Sequence, residues 1–255
     1  MSAYSNEVDN RNANQIMNVP SHSKELDQRP ADYGATALRA ITGLLPIVGP
    51  LFSELAGVVV PNQRMERIAR FAAELDRRLR VLEAADRITG RLGNEEFADL
   101  LEEGIRQAVR SLSDERRQYL AALVVNGLTT EDIEYSESRH LLRMLNDLSD
   151  VEIVWLRSYW VRSEEFFQRH ENVLAAPQVS LASPRKEQDR ATRKTALQDS
   201  YKEHLCWLGL LERRYRVDIR SRAPKFDRDG AQELAGYDIT PLGRLLLRQI
   251  GLEEL

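Results

Sequence analysis

The histidines and the paired glutamates of this 255-residue chain are the side chains best suited to acid–base or metal chemistry. The histidines, His22, His140, His170 and His204, are scattered, and none has a second ligand-type residue at the spacing of zinc or iron sites. Adjacent glutamates, Glu164–Glu165 and Glu253–Glu254, point in different directions on a helix and are not suited to work as acid and base. The sequence has no glycine-rich phosphate loop after a strand and no nucleophile elbow. It therefore predicts a protein that is not an enzyme, with no cofactor and no metal site.

Positive charge is concentrated near the C-terminus, although the chain as a whole is acidic. The formal net charge is -4, which argues against a protein that binds nucleic acid by electrostatics alone. Between Arg185 and Arg228, however, thirteen Lys or Arg side chains stand against seven Asp or Glu. This segment is therefore the candidate region for binding an anionic ligand.

The C-terminal quarter carries the most informative pattern of the chain. Residues 203–214 (EHLCWLGLLERR) lead into an alternating strand, and residues 237–247 (YDITPLGRLLL) open a last helix. This order of helix, strand, strand and helix resembles the end of a winged helix-turn-helix domain with a MarR-like pattern. In that family a recognition helix ends on a Leu-Gly-Leu-Leu step, a two-stranded wing follows, and a Thr-Pro-Leu-Gly segment caps the closing helix. The resemblance covers about a third of the chain and implies a fold rather than an activity.

The residue periods support these elements. Three leucines share one face at helical spacing: Leu205, Leu208 and Leu211. The period then changes to two, because Tyr215, Val217 and Ile219 alternate with charged residues. This alternation predicts a strand with its apolar side chains against the core, followed by a long wing tip over residues 221–235.

The closing helix has clear signals at both ends. Thr240 is a good N-cap, and Pro241 fits the first helical position, where its missing N–H costs nothing. Gly251 is expected to end the helix. The buried stripe is expected to contain Leu242, Leu245, Leu246 and Ile250.

The resemblance implies that DNA is contacted by the recognition helix and the wing. Phosphate contacts are expected from the wing, and base contacts from Gln198, Ser200 or Lys202. The candidate DNA-binding residues are Arg193, Lys194, Gln198, Ser200, Lys202, Arg213, Arg214, Arg216, Arg220, Arg222, Lys225 and Arg228. Asp199 and Glu203 are expected on the helix face that approaches the groove, where each would oppose phosphate. The alternative is a protein–protein or dimerisation module whose arginines form salt links to the acidic remainder of the chain.

The first sixty residues contain two contrasting segments. Residues 1–33 are polar, rich in Asn and Ser, and without a hydrophobic period, which predicts a disordered tail. Residues 37–60 are the most apolar stretch, but only fourteen uncharged residues separate Arg39 from Glu54. A membrane-spanning helix needs about twenty, and two prolines interrupt the stretch. We expect a buried apolar hairpin here; the alternative is a latent membrane-active segment, as in a defence or toxin-type effector.

Helical periods continue from residue 61 to residue 148. The first helix carries a heptad stripe, Met65, Ile68, Ala72, Leu75, Leu79 and Leu82, and is expected to end at Gly90 and Gly93. The stripe needs a partner, either within a bundle or in a dimeric coiled coil. Asn94, Ser113 and Thr129 or Thr130 are expected to open three further helices, the second of which stops at Asn126–Gly127. Their expected core residues are Phe97, Leu100, Leu101, Ile105, Ala108, Tyr119, Leu120, Leu123, Val124, Ile133, Leu141, Met144, Leu145 and Leu148.

A capping box at Ser149–Glu152 marks the start of the C-terminal domain. The sequence therefore predicts a mainly α protein with three parts: a disordered tail (1–33), a helical bundle with an apolar hairpin (34–148), and a winged-helix-like α+β domain (149–255). The lone Cys206 is typical of a small buried side chain in a reducing compartment, so we expect a cytoplasmic protein. We expect a non-enzymatic regulator or adaptor, with DNA as the first candidate ligand. A homo-oligomer, formed as a dimer through the bundle or the closing helix, or a protein partner is also expected.

Overall fold

The computed structural model describes residues 62–84, 94–129, 134–161, 163–180 and 182–252, and within them the chain is mainly helical, as predicted. The helices are α1 (Asn62–Ala84), α2 (Glu95–Arg110), α3 (Asp114–Thr129), α4 (Tyr135–Asp147), α5 (Asp150–Ser158), α6 (Glu164–Arg169), α7 (Glu171–Leu174), α8 (Arg185–Trp207) and α9 (Pro241–Gln249). Two strands, β1 (Leu211–Tyr215) and β2 (Leu234–Ile239), form a small antiparallel sheet. The predicted order of helix, strand, strand and helix is confirmed by α8, β1, β2 and α9.

Several predicted features lie outside the described residues. These are the tail (1–33), the apolar hairpin (37–60), and the helix end at Gly90 and Gly93. Within the described ranges, no helix is both long enough and apolar enough to cross a membrane.

Helix α3 is the centre of the helical part because its sequence is apolar on almost every side. Residues 120–125 (LAALVV) are all buried, and a helix with this composition is stable only when other elements surround it. Helices α1, α2, α4 and α9 pack against α3 or against one another around it. The heptad stripe of α1 is confirmed as a packing face, with Ile68, Ala72, Leu75 and Leu79 buried. Its partners are helices of the same chain.

Helix α3 continues through Asn126 and Gly127, where the sequence predicts a stop, so that prediction is wrong. A Cβ on Gly127 would lie 2.9 Å from Leu100 Cδ1 and 3.1 Å from Ser138 Oγ. The glycine therefore serves the close approach of α2 and α4 to α3 rather than a helix end.

The start of α4 also differs from the prediction. Thr129 is the last residue of α3, and Thr130 and Ile133 lie outside the described residues. The helix begins at Tyr135, and the carboxylate of Glu137 accepts the backbone N–H of the preceding Glu134 at 3.0 Å. A carboxylate in the first turn of a helix accepts a backbone N–H that would otherwise be unpaired. Glu137 therefore favours a helix start at Tyr135 over the start predicted from the two threonines.

The other predicted N-caps are confirmed. Each cap oxygen accepts a backbone N–H of the first turn: Asn94 Oδ1 from Glu96 (3.1 Å), Ser113 Oγ from Arg116 (3.1 Å) and Ser149 Oγ from Glu152 (3.2 Å). Such caps contribute about 0.5–2 kcal/mol each. They set where the helices of the bundle begin, because each cap fixes the first turn of its helix.

Helix α9 joins the C-terminal part to the bundle. Its apolar side chains Leu246, Leu247 and Ile250 are buried in the same core as α3. The Asn126 side chain of α3 donates to the carbonyl of Gln249 at 2.9 Å. Of the predicted stripe, Leu246 and Ile250 are buried, and Leu242 and Leu245 are half-buried. The bundle of the same chain therefore covers most of this face.

Candidate nucleic-acid interface

The C-terminal end of α8 turns the chain into β1 through a glycine. Gly209 has φ 73°, a conformation that glycine adopts at little steric cost. Its N–H donates to the carbonyl of Cys206 at 3.0 Å, and the N–H of Leu210 donates to the carbonyl of Leu205 at 2.9 Å. This pair of bonds is the Schellman ending of a helix. The Leu-Gly step therefore fixes the direction in which β1 leaves α8.

Thr240 and Gly243 hold α9 against the beginning of β1. Thr240 Oγ1 accepts the N–H of Gly243 at 3.0 Å and donates to the carbonyl of Gly209 at 2.7 Å. A Cβ on Gly243 would overlap the carbonyl oxygen of Leu210 and lie 2.8 Å from Ile239 Cγ1. The Thr-Pro-Leu-Gly segment thus caps α9 as predicted, and it also packs α9 directly on the backbone that follows α8.

One side of α8 is exposed along almost its whole length. Seven residues at alternating spacings of four and three share this side, and we call them the outer stripe: Lys186, Arg190, Arg193, Leu197, Ser200, His204 and Trp207. All are exposed except the half-buried His204, and Trp207 has 84% of its surface exposed. The three cations occupy the N-terminal half, where the first turn also favours an anion through the helix dipole. The outer stripe contains no carboxylate.

Asp199 and Glu203 point away from the outer stripe. Asp199 Oδ1 lies 2.6 Å from Lys202 Nζ. Glu203 forms an ion pair with Arg213 of β1 and accepts the hydroxyl of Tyr237 at 3.0 Å. The hydrogen bond from Arg213 lowers the pKa of Glu203, so the carboxylate stays ionised against the sheet. Neither carboxylate therefore faces a ligand that lies along the outer stripe.

Gln198 and Lys202 are turned toward the protein. Gln198 is buried, and its Nε2 donates to the carbonyls of Val173 (2.9 Å) and Ala175 (3.1 Å). The half-buried Lys202 places its ammonium 5.4 Å from the ring centre of Trp155, a cation–π distance. Both side chains fix α8 on the elements behind it. Of the three residues expected to contact bases, the serine alone lies on the outer stripe.

The cations that follow α8 fall into two groups. Three are in ion pairs: Arg213 with Glu203, Arg214 with Asp238 (3.6 Å) and Arg216 with Glu233 (2.9 Å). Asp238 and Glu233 lie outside residues 185–228, in the acidic remainder of the chain to which the protein-interaction alternative expects salt links, whereas Glu203 lies within that segment. Four lie in the connection between the strands, residues 216–233, which we call the β1–β2 loop: Arg220, Arg222, Lys225 and Arg228. These four are exposed and form no ion pair within the described ranges.

The β1–β2 loop is closed by its own backbone. The backbones of Arg216, Lys225 and Glu233 form a ring of three hydrogen bonds. The N–H of Arg216 donates to the carbonyl of Glu233 (2.8 Å), the N–H of Glu233 to the carbonyl of Lys225 (2.8 Å), and the N–H of Lys225 to the carbonyl of Arg216 (2.9 Å). The ring divides the connection into two smaller loops. Asp218 Oδ1 accepts two following backbone N–H groups (3.0 and 2.9 Å), and Asp227 Oδ1 does the same (both 2.9 Å). Turns of this kind hold both loops without a hydrophobic core.

The apolar side chains of this region are exposed, contrary to the prediction. Tyr215, Val217 and Ile219 are exposed to 40%, 54% and 94%, although their alternation predicts that they pack against the core. Strand β1 ends at Tyr215, and the chain beyond it extends past the core as a ribbon. A two-stranded ribbon has no second layer to cover its apolar face. The prediction of a core-facing strand is therefore wrong for these residues.

A polar cluster between α5 and α8 has the geometry of a structural contact rather than of a catalytic site. Ser149 Oγ donates to Glu152 Oε2 at 2.8 Å, and His204 Nδ1 lies 2.6 Å from Glu152 Oε1. A nucleophilic serine needs the histidine beside its hydroxyl, whereas here the buried glutamate separates the two. Cys206 is half-buried, and burial raises the pKa of its thiol. Within the described ranges, no three metal-ligating side chains converge.

Five members of the outer stripe were not among the predicted site residues: Lys186, Arg190, Leu197, His204 and Trp207. The signal for them is the spacing of four and three that repeats from residue 186 to residue 207. Such spacing usually marks a packing face, and the mixture of cations and apolar residues obscures it here. Arg193 and Ser200 lie on the stripe, and Lys194 is half-buried on a neighbouring side.

No protein-family model, curated protein or solved structure matches this chain.

Proposed function

We propose that the C-terminal part, from residue 149, is a winged-helix-like module that binds double-stranded DNA, and that the protein is a non-enzymatic regulator or adaptor. The outer stripe carries this proposal. It places Lys186, Arg190 and Arg193 in a row on an exposed helix face. The β1–β2 loop serves as the wing.

The dimensions of α8 support a groove-binding role. Its 23 residues span about 35 Å at a rise of about 1.5 Å per residue. The major groove of B-DNA is about 12 Å wide and admits one helix. Ser200, in the C-terminal half of the outer stripe, meets base edges, while Lys186, Arg190 and Arg193 bind phosphate.

The ion pairs of the C-terminal part support a localised interface. Asp199 and Glu203 are engaged with Lys202 and Arg213, so these two acids do not repel phosphate on the outer side. The exposed Asp189 lies three residues after Lys186 and four before Arg193, so this side carries one carboxylate against three cations. The exposed cations of the β1–β2 loop bind the phosphates next to the groove. Because the whole chain carries -4, the affinity depends on these few contacts and falls steeply with salt. A cytoplasmic location fits this role.

The first prediction tests the outer stripe with Arg190→Ala and Arg193→Ala combined. Fluorescence anisotropy with a mixed-sequence duplex across a salt series measures affinity and its salt dependence. Removing two phosphate-binding cations lowers the affinity about tenfold or more and reduces the log–log salt slope by about 2.

The matched control is Arg80→Ala with Arg106→Ala. Both arginines are exposed, on α1 and α2, and each pairs with a carboxylate four residues earlier. The control should bind DNA like the unchanged protein. Absence of binding at low salt, or an equal loss in the control, contradicts the proposal.

Protein interaction is the second candidate, and the apolar half of the outer stripe favours it. Trp207 and Leu197 are exposed to 84% and 54%, and large exposed apolar side chains mark partner surfaces. Sedimentation of the free protein distinguishes the two functions. A protein that self-associates and binds no duplex would use the outer stripe for a protein partner.

A further inference from the structure

We propose that the tip of the β1–β2 loop docks on an anionic lipid surface. Ile219 and Phe226 enter the interfacial layer of the bilayer, while the surrounding cations bind lipid headgroups. This surface is distinct from the outer stripe of α8.

The apolar side chains at the tip have no cover. Ile219 is 94% exposed, Phe226 59% and Val217 54%. Ile219 belongs to the first of the two smaller loops, and Phe226 begins the second, next to the ring of backbone hydrogen bonds. Each of the two smaller loops therefore presents one large exposed apolar side chain.

The charges around these apolar groups complement an anionic surface. Arg220 and Arg222 flank the exposed tip of the first loop, and Lys225 and Arg228 lie on either side of Phe226. None of the four cations forms an ion pair within the described ranges. Three carboxylates, Asp218, Asp227 and Asp229, lie among these cations, so the cations exceed them by one. Asp218 and Asp227 accept backbone N–H groups of their own turns, and these bonds lower the pKa of the Asp218 carboxyl.

A lipid surface satisfies both kinds of group at once. Cations bind the anionic headgroups, and apolar side chains lie just below them, the arrangement of peripheral membrane contacts. DNA phosphate would bind the cations but would leave Ile219 and Phe226 in water. The tip therefore satisfies a bilayer more fully than DNA, and the two ligands compete for the four cations, which the proposed function assigns to DNA phosphate when no bilayer is bound.

The test is co-sedimentation of the full chain with vesicles of phosphatidylcholine alone and of phosphatidylcholine with phosphatidylserine. We expect binding to the second vesicles only. Ile219→Asp with Phe226→Asp, and separately Arg220→Gln with Arg222→Gln, should each weaken this binding about tenfold or more. These side chains are exposed, so the fold should be retained, which circular dichroism checks. The control is Leu112→Asp, since Leu112 is 81% exposed but belongs to the bundle.

A second measurement reports insertion directly. Ile219→Cys in a Cys206→Ala background accepts an environment-sensitive dye, whose emission should shift to the blue on vesicles with phosphatidylserine. Three results overturn the proposal. They are no binding to these vesicles, equal binding by the tip variants and the unchanged chain, or binding to phosphatidylcholine alone. A tip variant that dissociates a dimer, without vesicle binding by the unchanged chain, assigns the tip to a second copy and overturns it as well.

Discussion

The contact of Gly243 with the backbone after α8 makes a quantitative prediction for Gly243→Ala. The added methyl would overlap the carbonyl oxygen of Leu210 and lie 2.8 Å from Ile239 Cγ1 and 3.3 Å from Leu156 Cδ1. A main-chain carbonyl held between two elements cannot rotate away as a side-chain end can. Helix α9 must therefore shift from β1, and the packing of the whole C-terminal part should loosen.

The expected size follows from two opposing effects. Overpacking typically costs about 1–3 kcal/mol, and a backbone clash belongs at the upper end of this range. Alanine is favoured over glycine within a helix by about 1 kcal/mol. We therefore expect Gly243→Ala to lower the free energy of unfolding by about 2 kcal/mol, measured by urea denaturation with an unchanged m value.

Gly127→Ala is the matched control, because it is also a helical glycine in a tight site. Its added methyl would meet only side-chain atoms, Leu100 Cδ1 at 2.9 Å and Ser138 as the second neighbour. These side chains can adjust, so the loss should stay below about 1 kcal/mol. If Gly243→Ala proves as stable as the unchanged protein, or more stable than Gly127→Ala, the close approach of α9 to β1 is refuted.

Two further predictions concern the attachment of α8. Gln198→Leu removes the donor to two carbonyls, at Val173 and Ala175, and should lower the free energy of unfolding by about 1–3 kcal/mol. Amide hydrogen exchange should become faster in the N-terminal half of α8. Unchanged exchange would show that this contact does not hold the helix. Arg213 lowers the pKa of Glu203 below its ordinary value of 4.5, so the stabilisation by Glu203 is present above that value and is lost as the pH falls through the folded-state pKa. The unchanged protein should therefore lose more stability than Glu203→Gln when acidified from neutral pH to about 3, and equal losses in thermal melts would contradict the role of this pair.

Local signals in the sequence were sufficient to predict where many of the helices begin. The caps at Asn94, Ser113, Ser149 and Thr240 involve a side chain and an N–H within three residues, so they can be read from the sequence. The exposed loop after Tyr215 depends instead on what lies opposite the strand. Alternation shows that a strand has two chemical faces, but it does not show that a second layer covers one of them.

The candidate site was harder to predict because the direction of each side chain depends on packing. Gln198 and Ser200 are two residues apart on one helix, so the first faces the interior and the second faces solvent. Which side of α8 is covered is decided by α5, α7 and β1, not by α8 itself. The same dependence explains Gly127, since glycine is used both to end helices and to let helices approach closely.

The ring of backbone hydrogen bonds among Arg216, Lys225 and Glu233 separates the two smaller loops from the rest of the fold. Because main-chain groups form the ring, it places few demands on side-chain type. Each of the two loops can change in sequence independently, and doubling the length of either adds only about 0.6 kcal/mol of closure entropy. Variants of this protein can therefore acquire new surface chemistry at the tip without altering the junction of α8, β1 and α9. The ring also makes the two loops suitable positions for grafting short recognition peptides.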